Sequence, residues 1–278
     1  MKHLSHDGET VTLHRIPALT ERATGRRGIP ACALDTETTG LDATRETIIE
    51  IGIRPFEFDP ETGEVVWIGQ GYNALQDPGR PLQPEIAALT GLTDADLAGQ
   101  AIDWVEVRRL LDNSDLVMAH NAAFDRAFVD AALGGDTRHL WGCTYKQVDW
   151  DTCGTPSYSQ EVLAIWHGWF AFRAHRALDD ADNLLFVMEK SARLPELWTR
   201  ARLPAFRLRA VGSPYETKDI LKARGYRWDS QGRVWWMEVT NEADVEAELA
   251  WADEAVYRKR GRLQVEKLEA WERFVVGR

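Results

Sequence analysis

Apolar and polar positions follow two rhythms along this chain, and the change from one to the other divides it. Ile29 to Leu34 is an apolar run that stops at Asp35, the pattern of a buried strand. Thr47 to Phe58 is rich in Ile and Phe, Pro60-Glu61-Thr62-Gly63 makes a turn, and Glu64 to Tyr72 resumes as a strand. This predicts a three-strand meander. Helical spacing takes over next. Pro84 to Leu89 closes at Thr90-Gly91, Thr93-Asp94-Ala95-Asp96 reads as a cap, and Ile102 to Leu111 is amphipathic. Leu116-Val117-Met118-Ala119 is a fourth, interior strand that runs into His120. Asp125 to Leu133, Ser159 to Trp166 and Leu178 to Lys190 return to helical spacing. Strands first, then strands alternating with helices, predict an α/β layer with a mixed sheet.

The same pattern predicts the organisation of the chain. Residues 1–28 read as a loosely ordered N-terminal extension and 29–195 as the main domain. Residues 196–206, between Leu194-Pro195 and Leu203-Pro204, read as a linker, and 207–278 as a small α+β module. Within the module, Arg207 to Val211 is a strand and Thr217 to Arg224 a short helix ended by Gly225. Tyr226-Arg227-Trp228 and Val234 to Val239 flank Asp229-Ser230-Gln231-Gly232-Arg233 as a hairpin, and Asn241 to Ala270 is a long charged helix.

Composition narrows the class. The 278 residues are 44% hydrophobic, enough for a sizeable core. No apolar run approaches the roughly 18 residues of a membrane span, and the polar N-terminus lacks a secretory signal. Cys32, Cys143 and Cys153 have no CxxC spacing, which argues against a disulfide framework or zinc site and fits a reducing cytoplasm. The net charge of -11 is uneven. Residues 205–278 hold 14 Lys/Arg and 13 Asp/Glu, so all the acidity lies before them. Net charge bears on association and solubility rather than on fold.

Three short segments carry candidate chemistry. Asp35 and Glu37, within Leu34-Asp35-Thr36-Glu37-Thr38-Thr39-Gly40, are two apart at a strand end and so share a face. Like charges that close are unfavourable without a cation between them. Alone, the pair reads first as a polar strand end before a turn. Asp125, in His120-Asn121-Ala122-Ala123-Phe124-Asp125, sits where a strand gives way to a helix and could simply complement the helix dipole. His175 and Asp180, in His175-Arg176-Ala177-Leu178-Asp179-Asp180, enter another helix. Local charge does not separate Asp179 from Asp180, but helical phase favours Asp180, because Leu184 and Val187 continue along its face.

Jointly, these segments resemble the DnaQ-like 3'–5' exonucleases with a catalytic histidine, the family of DNA polymerase III proofreading (epsilon) subunits and RNase T. The resemblance spans roughly Ile29 to Ser191 and includes Leu89-Thr90-Gly91-Leu92-Thr93. It implies the ribonuclease-H-like exonuclease fold. It implies that Asp35, Glu37, Asp125 and Asp180 bind two Mg²⁺ or Mn²⁺ ions and that His175 is the general base. It also implies that Thr38, Thr39, Gly40 and Leu41 line the pocket for the terminal nucleotide, with His120, Asn121 and Phe124 beside it. Oxygen ligands suit hard cations, and a histidine with a pKa of about 6.5 can accept a proton at neutral pH.

In the module, Trp228, Trp235 and Trp236 lie among Lys218, Lys222, Arg224 and Arg227, a mixture suited to stacking on bases and following phosphates. The same aromatics could equally fill a small core. Trp141, Trp150, Trp166 and Trp169 read mostly as packing. The resulting expectation is a two-metal 3'–5' exonuclease acting on single-stranded DNA. The alternatives are an exoribonuclease of RNase T or oligoribonuclease type, and a non-catalytic nucleic-acid-binding replication protein. No motif names a polymerase partner.

Overall fold

The computed structural model describes residues 5–6, 11–135, 137–171, 175–230 and 232–275. Residues 1–4 and 7–10 of the expected extension, Gln231 of the expected hairpin and Val276-Gly277-Arg278 lie outside the described residues. The chain forms two compact units, residues 1–201 with 274–278, and residues 202–273.

The first unit is built on a mixed sheet. Its main strands are β1 (Ile29–Thr38), β2 (Ile48–Phe58), β3 (Val65–Ile68), β4 (Tyr72–Leu75), β5 (Leu116–Ala119) and β6 (Trp141–Cys143). The order is β6-β5-β1-β2-β3, with β4 also paired to β2. β5 runs parallel to β1 and β6, while β2 is antiparallel to β1, β3 and β4. The helices are α1 (Pro84–Thr90), α2 (Asp94–Leu97), α3 (Trp104–Asp112), α4 (Ala122–Ala132), α5 (Thr144–Gln147), α6 (Gln160–Trp166), α7 (Ala177–Lys190) and α8 (Leu194–Ala201).

Strand alternation assigns the two faces. Ala31, Ala33, Phe56 and Met118 pack with α6, α7 and α8, whereas Cys32, Leu34, Ile51, Ile53 and Val117 pack with α3 and α4. A mixed sheet flanked by helices is the expected architecture. Among the described residues, no helix is long and apolar enough to cross a membrane.

Several boundaries differ from the sequence expectation, each for a local reason. The strand expected from Glu64 to Tyr72 is two strands. At Gly69 the Trp67 ring occupies the space of a side chain, and at Gly71 the Arg54 guanidinium does. The first part of the expected linker is helix α8. Pro195 sits in its first turn, where a missing N–H costs nothing, and Leu194, Leu197 and Ala201 are buried. The lead-in is partly built into the unit. Arg22–Ala23 pairs with β3, His14–Arg15 pairs with Trp169–Phe170, and Ile16 is buried.

The second unit is a four-stranded antiparallel sheet of β7 (Ala205–Ala210), β8 (Arg227–Asp229), β9 (Val234–Val239) and β10 (Gln264–Leu268), in the order β8-β9-β7-β10. Helices α9 (Lys218–Ala223) and α10 (Glu242–Ala255) accompany it. The long helix expected to reach Ala270 stops at Ala255. Arg258 and Lys259 take left-handed φ values of 49° and 64°, and the chain returns as β10.

Candidate active site

Three elements of the first unit deliver the expected carboxylates. On β1, Asp35 and Glu37 continue the row of Ala31 and Ala33 and so face the α7 side. Asn121 adopts left-handed backbone (φ 68°) and turns β5 into α4. Asp125 is thereby buried, and its Oδ1 accepts a hydrogen bond from the Thr36 hydroxyl at 2.9 Å. At the start of α7, Asp180 Oδ2 accepts from the backbone N–H of His175 at 2.7 Å and of Arg176 at 3.2 Å. Asp179, one residue earlier, is exposed. Donor atoms of Glu37, His175 and Asp180 all lie within 4.8 Å of one another.

The electrostatics follow from burial first and from neighbouring charges second. Burial, then the charges of Asp125, Asp180, Glu37 and Glu50, hold Asp35 well above the usual carboxylate range. Burial, then Asp180, Glu50 and Asp125, push Glu37 to about 8. Burial lifts Asp125 to about 7 against the hydrogen bond from Thr36, and burial also raises Asp180. Burial raises all four carboxylates, and neighbouring charges raise Asp35 and Glu37 further, so ionising them together is unfavourable without a cation to offset them. The donors are oxygen atoms beside one imidazole, a set that fits hard divalent ions. His120 is a different kind of histidine. Burial lowers it to about 4, and its Nδ1 is 2.8 Å from the Thr144 hydroxyl, so it is neutral and fixed.

The other expected contacts have varied surroundings. Thr38 donates to the Gly40 carbonyl and Thr39 to the Glu46 carboxylate, which shapes the loop after β1. Leu41 is 87% exposed. Asn121 is exposed, and Phe124 packs against Phe128 with ring centroids 5.0 Å apart. Trp141 and Trp150 are fully buried, while Trp166 and Trp169 are half-buried.

In the second unit, most of the aromatic and basic residues stack on one another. Trp236 lies between the guanidiniums of Arg227 at 4.3 Å and Arg207 at 5.2 Å. Trp235 packs with the core and against Trp228 at 5.5 Å, and Trp235 and Trp236 are both half-buried. Lys218 sits 4.2 Å from the Tyr215 ring centroid, and Arg224 bonds Glu248. Trp228 is 50% exposed, and Lys222 and Arg227 are exposed.

Sequence reasoning missed a set of residues on β2. Glu50, Gly52 and Arg54 alternate along the face toward α7. Glu50 is fully buried and bonds Arg176; Arg54 holds Asp182 of α7 through Nε at 2.6 Å and Nη2 at 2.8 Å. A Cβ at Gly52 would meet the Leu178 nitrogen at 2.1 Å. The available signal was a charge and a glycine inside an apolar strand, which mark a paired buried group and a close approach.

Comparisons with known proteins place the chain in a family. A sequence model of the exonuclease (RNase T) family matches residues 32–134, which hold Asp35, Glu37 and Asp125. The DNA polymerase III subunit epsilon of Treponema pallidum is 33% identical over 159 residues, covering 54% of this chain and 70% of that protein. The chain belongs to this exonuclease family. The chain is also 35% identical over 118 residues to the PolC-type DNA polymerase III of Listeria welshimeri, covering 41% of this chain and 8% of the polymerase. The corresponding Thermotoga petrophila polymerase is 34% identical over 163 residues, covering 53% and 11%. The chain thus spans about a tenth of the length of these polymerases.

Among solved structures, exonuclease X in complex with 5' overhanging duplex DNA has 26% identity and a TM-score of 0.43, covering 58% of this chain and 92% of that one. Exonuclease I has 15% identity and a TM-score of 0.48, covering 65% and 48%. The family generally uses divalent metal ions.

Proposed function

We propose that this exonuclease removes nucleoside 5'-monophosphates from the 3' end of DNA, with single-stranded ends as substrate and two Mg²⁺ or Mn²⁺ ions as cofactors. The observation that carries the reading is the convergence of Asp35, Glu37, Asp125 and Asp180, all held above their usual range, beside His175. In this reading the four carboxylates hold the ions. When bound, the ions supply activation of a water molecule and stabilisation of the departing 3'-oxygen. His175 takes the proton of the attacking water at an imidazole nitrogen. Its exposed position gives that nitrogen a path for passing the proton on to solvent.

Substrate contacts follow the loop after β1. Thr38, Thr39 and the Gly40 backbone face the terminal sugar, and exposed Leu41 rests against its base. His120, Asn121 and Phe124 border the same pocket. In the second unit, Trp228, Lys222, Arg224 and Arg227 contact nucleic acid, while Trp235, Trp236 and Lys218 support that surface. The names of the relatives, a DNA polymerase and a DNA polymerase subunit, support deoxyribose over ribose.

Degradation of 5'-labelled single-stranded DNA, duplex DNA and RNA of one sequence, with Mg²⁺ and with Mn²⁺, tests this reading. The expected result is progressive shortening from the 3' end, fastest on single-stranded DNA. Faster loss of the RNA would replace it with the exoribonuclease alternative.

A further inference from the structure

We infer that Glu50 and Arg176 act together as positioning residues for His175, fixing the backbone from which that side chain projects. The inference rests on the proposed role of His175 as general base. Glu50 lies on β2 directly opposite Glu37, so the two carboxylates share one face of the sheet. Glu50 is fully buried, and a buried carboxylate needs partners. Arg176 supplies most of them. Its Nε lies 3.2 Å from Oε1 and 3.0 Å from Oε2, and its Nη2 lies 2.9 Å from Oε1. The Asn73 amide donates to Oε1 at 3.0 Å, and the backbone N–H of Ala177 donates to Oε2 at 3.4 Å.

Asp180 accepts the two preceding amides, those of His175 and Arg176. Three consecutive backbone N–H groups, of residues 175, 176 and 177, are therefore each held by a carboxylate at the site. That matters because His175 has a φ of 63°, left-handed backbone that a residue with a side chain adopts only when its surroundings impose it. Gly52 closes the arrangement from below. A Cβ there would lie 2.2 Å from the Ala177 carbonyl carbon, so β2 and the start of α7 are in backbone contact. The segment from His175 to Leu178 is pinned between that contact and the forked bond to Glu50. A guanidinium holds a carboxylate in two directions, which a lysine ammonium does not.

Kinetics on 3'-labelled single-stranded DNA, with Mn²⁺ binding measured on the same proteins by calorimetry, test the inference. Arg176→Ala should lower kcat about 100-fold, the scale of a misplaced reacting group, with KM and Mn²⁺ affinity little changed. Added guanidinium should restore part of kcat to Arg176→Ala and none to His175→Ala. The double variant Glu50→Gln/Arg176→Met removes the pair without stranding a buried charge, so it should fold, bind Mn²⁺ and keep the low kcat.

Wild-type kcat in the double variant would overturn the inference, because the pair would then serve only to neutralise itself. A loss confined to Mn²⁺ affinity would overturn it as well. A wild-type protein that releases no mononucleotide would overturn the proposed activity and this inference with it. An active wild type beside an equally active Arg176→Ala overturns the inference alone.

Discussion

Asp179 and Asp180 are neighbours in sequence and opposite in circumstance. Asp180 is half-buried, raised in pKa and bonded to two amides, while Asp179 faces solvent. Asp180→Asn should abolish turnover while Asp179→Asn stays near wild type; assays of kcat on the two purified variants would expose a reversal. The cluster also predicts a pH dependence for the metal-free protein. Glu37 at about 8 and Asp125 at about 7 lie above their unfolded values near 4. Each binds its proton more tightly when folded, so its contribution is complete at pH below about 4 and is lost as pH rises through 7 to 8. Thermal midpoints of metal-free protein should fall across that range, and Mn²⁺ should recover the midpoint at the alkaline end. A flat or rising midpoint would contradict the burial of these carboxylates. The five polar residues were legible because each stands at a strand end or a helix start and, taken jointly, their segments resemble one family. Glu50 was not, because its partner Arg176 is 126 residues away and Ile48-Ile49-Glu50-Ile51 reads as an apolar strand.

Helix α7 docks on β2 at alternate strand positions, through the Glu50–Arg176 bonds, the bare Gly52 and the Arg54–Asp182 pair. Strand period 2 puts all three on one face, and the helix lies along them. Gly52→Ala should destabilise the fold by about 3 kcal/mol, since a methyl would have to displace backbone rather than a side-chain tip. Asp182→Ala should cost about 3–5 kcal/mol, because it leaves the nearly buried Arg54 unpaired. Urea unfolding of both variants measures this, and near-native midpoints would mean that α7 is held elsewhere. Elements with a strong local period, such as β1, β5, α3 and α7, were readable from sequence. Short ones were not. Trp141–Cys143 is three residues with no period to see, and Gln264–Leu268 has the charged residues of a helix but is recruited as a strand by pairing with β7. Pro195 read as a break, whereas in a first helical turn it is compatible with α8.

Across the whole molecule, the proposed chemistry and the net acidity both lie in the first unit. The second unit offers Trp228, Lys222 and Arg227 at its surface. Its tryptophans were legible as a group, but their division between internal stacking and exposure was not, because it depends on strand register. Arg227→Ala with Trp228→Ala should raise KM on long single strands, leave dinucleotides unaffected and reduce the salt slope of binding by about 0.7 for the lost cation. Equal kinetics at every length would remove the second unit from substrate binding. The central claim is that Asp35, Glu37, Asp125, Asp180 and His175 form one metal-dependent hydrolytic site. Its most direct test is release of the 3'-terminal mononucleotide from 3'-labelled single-stranded DNA by wild type and His175→Ala, with Mn²⁺ affinity measured on both. Wild type should release the nucleotide only with metal, and His175→Ala should lose about 100-fold or more with unchanged Mn²⁺ binding. Near-native release by His175→Ala would contradict it.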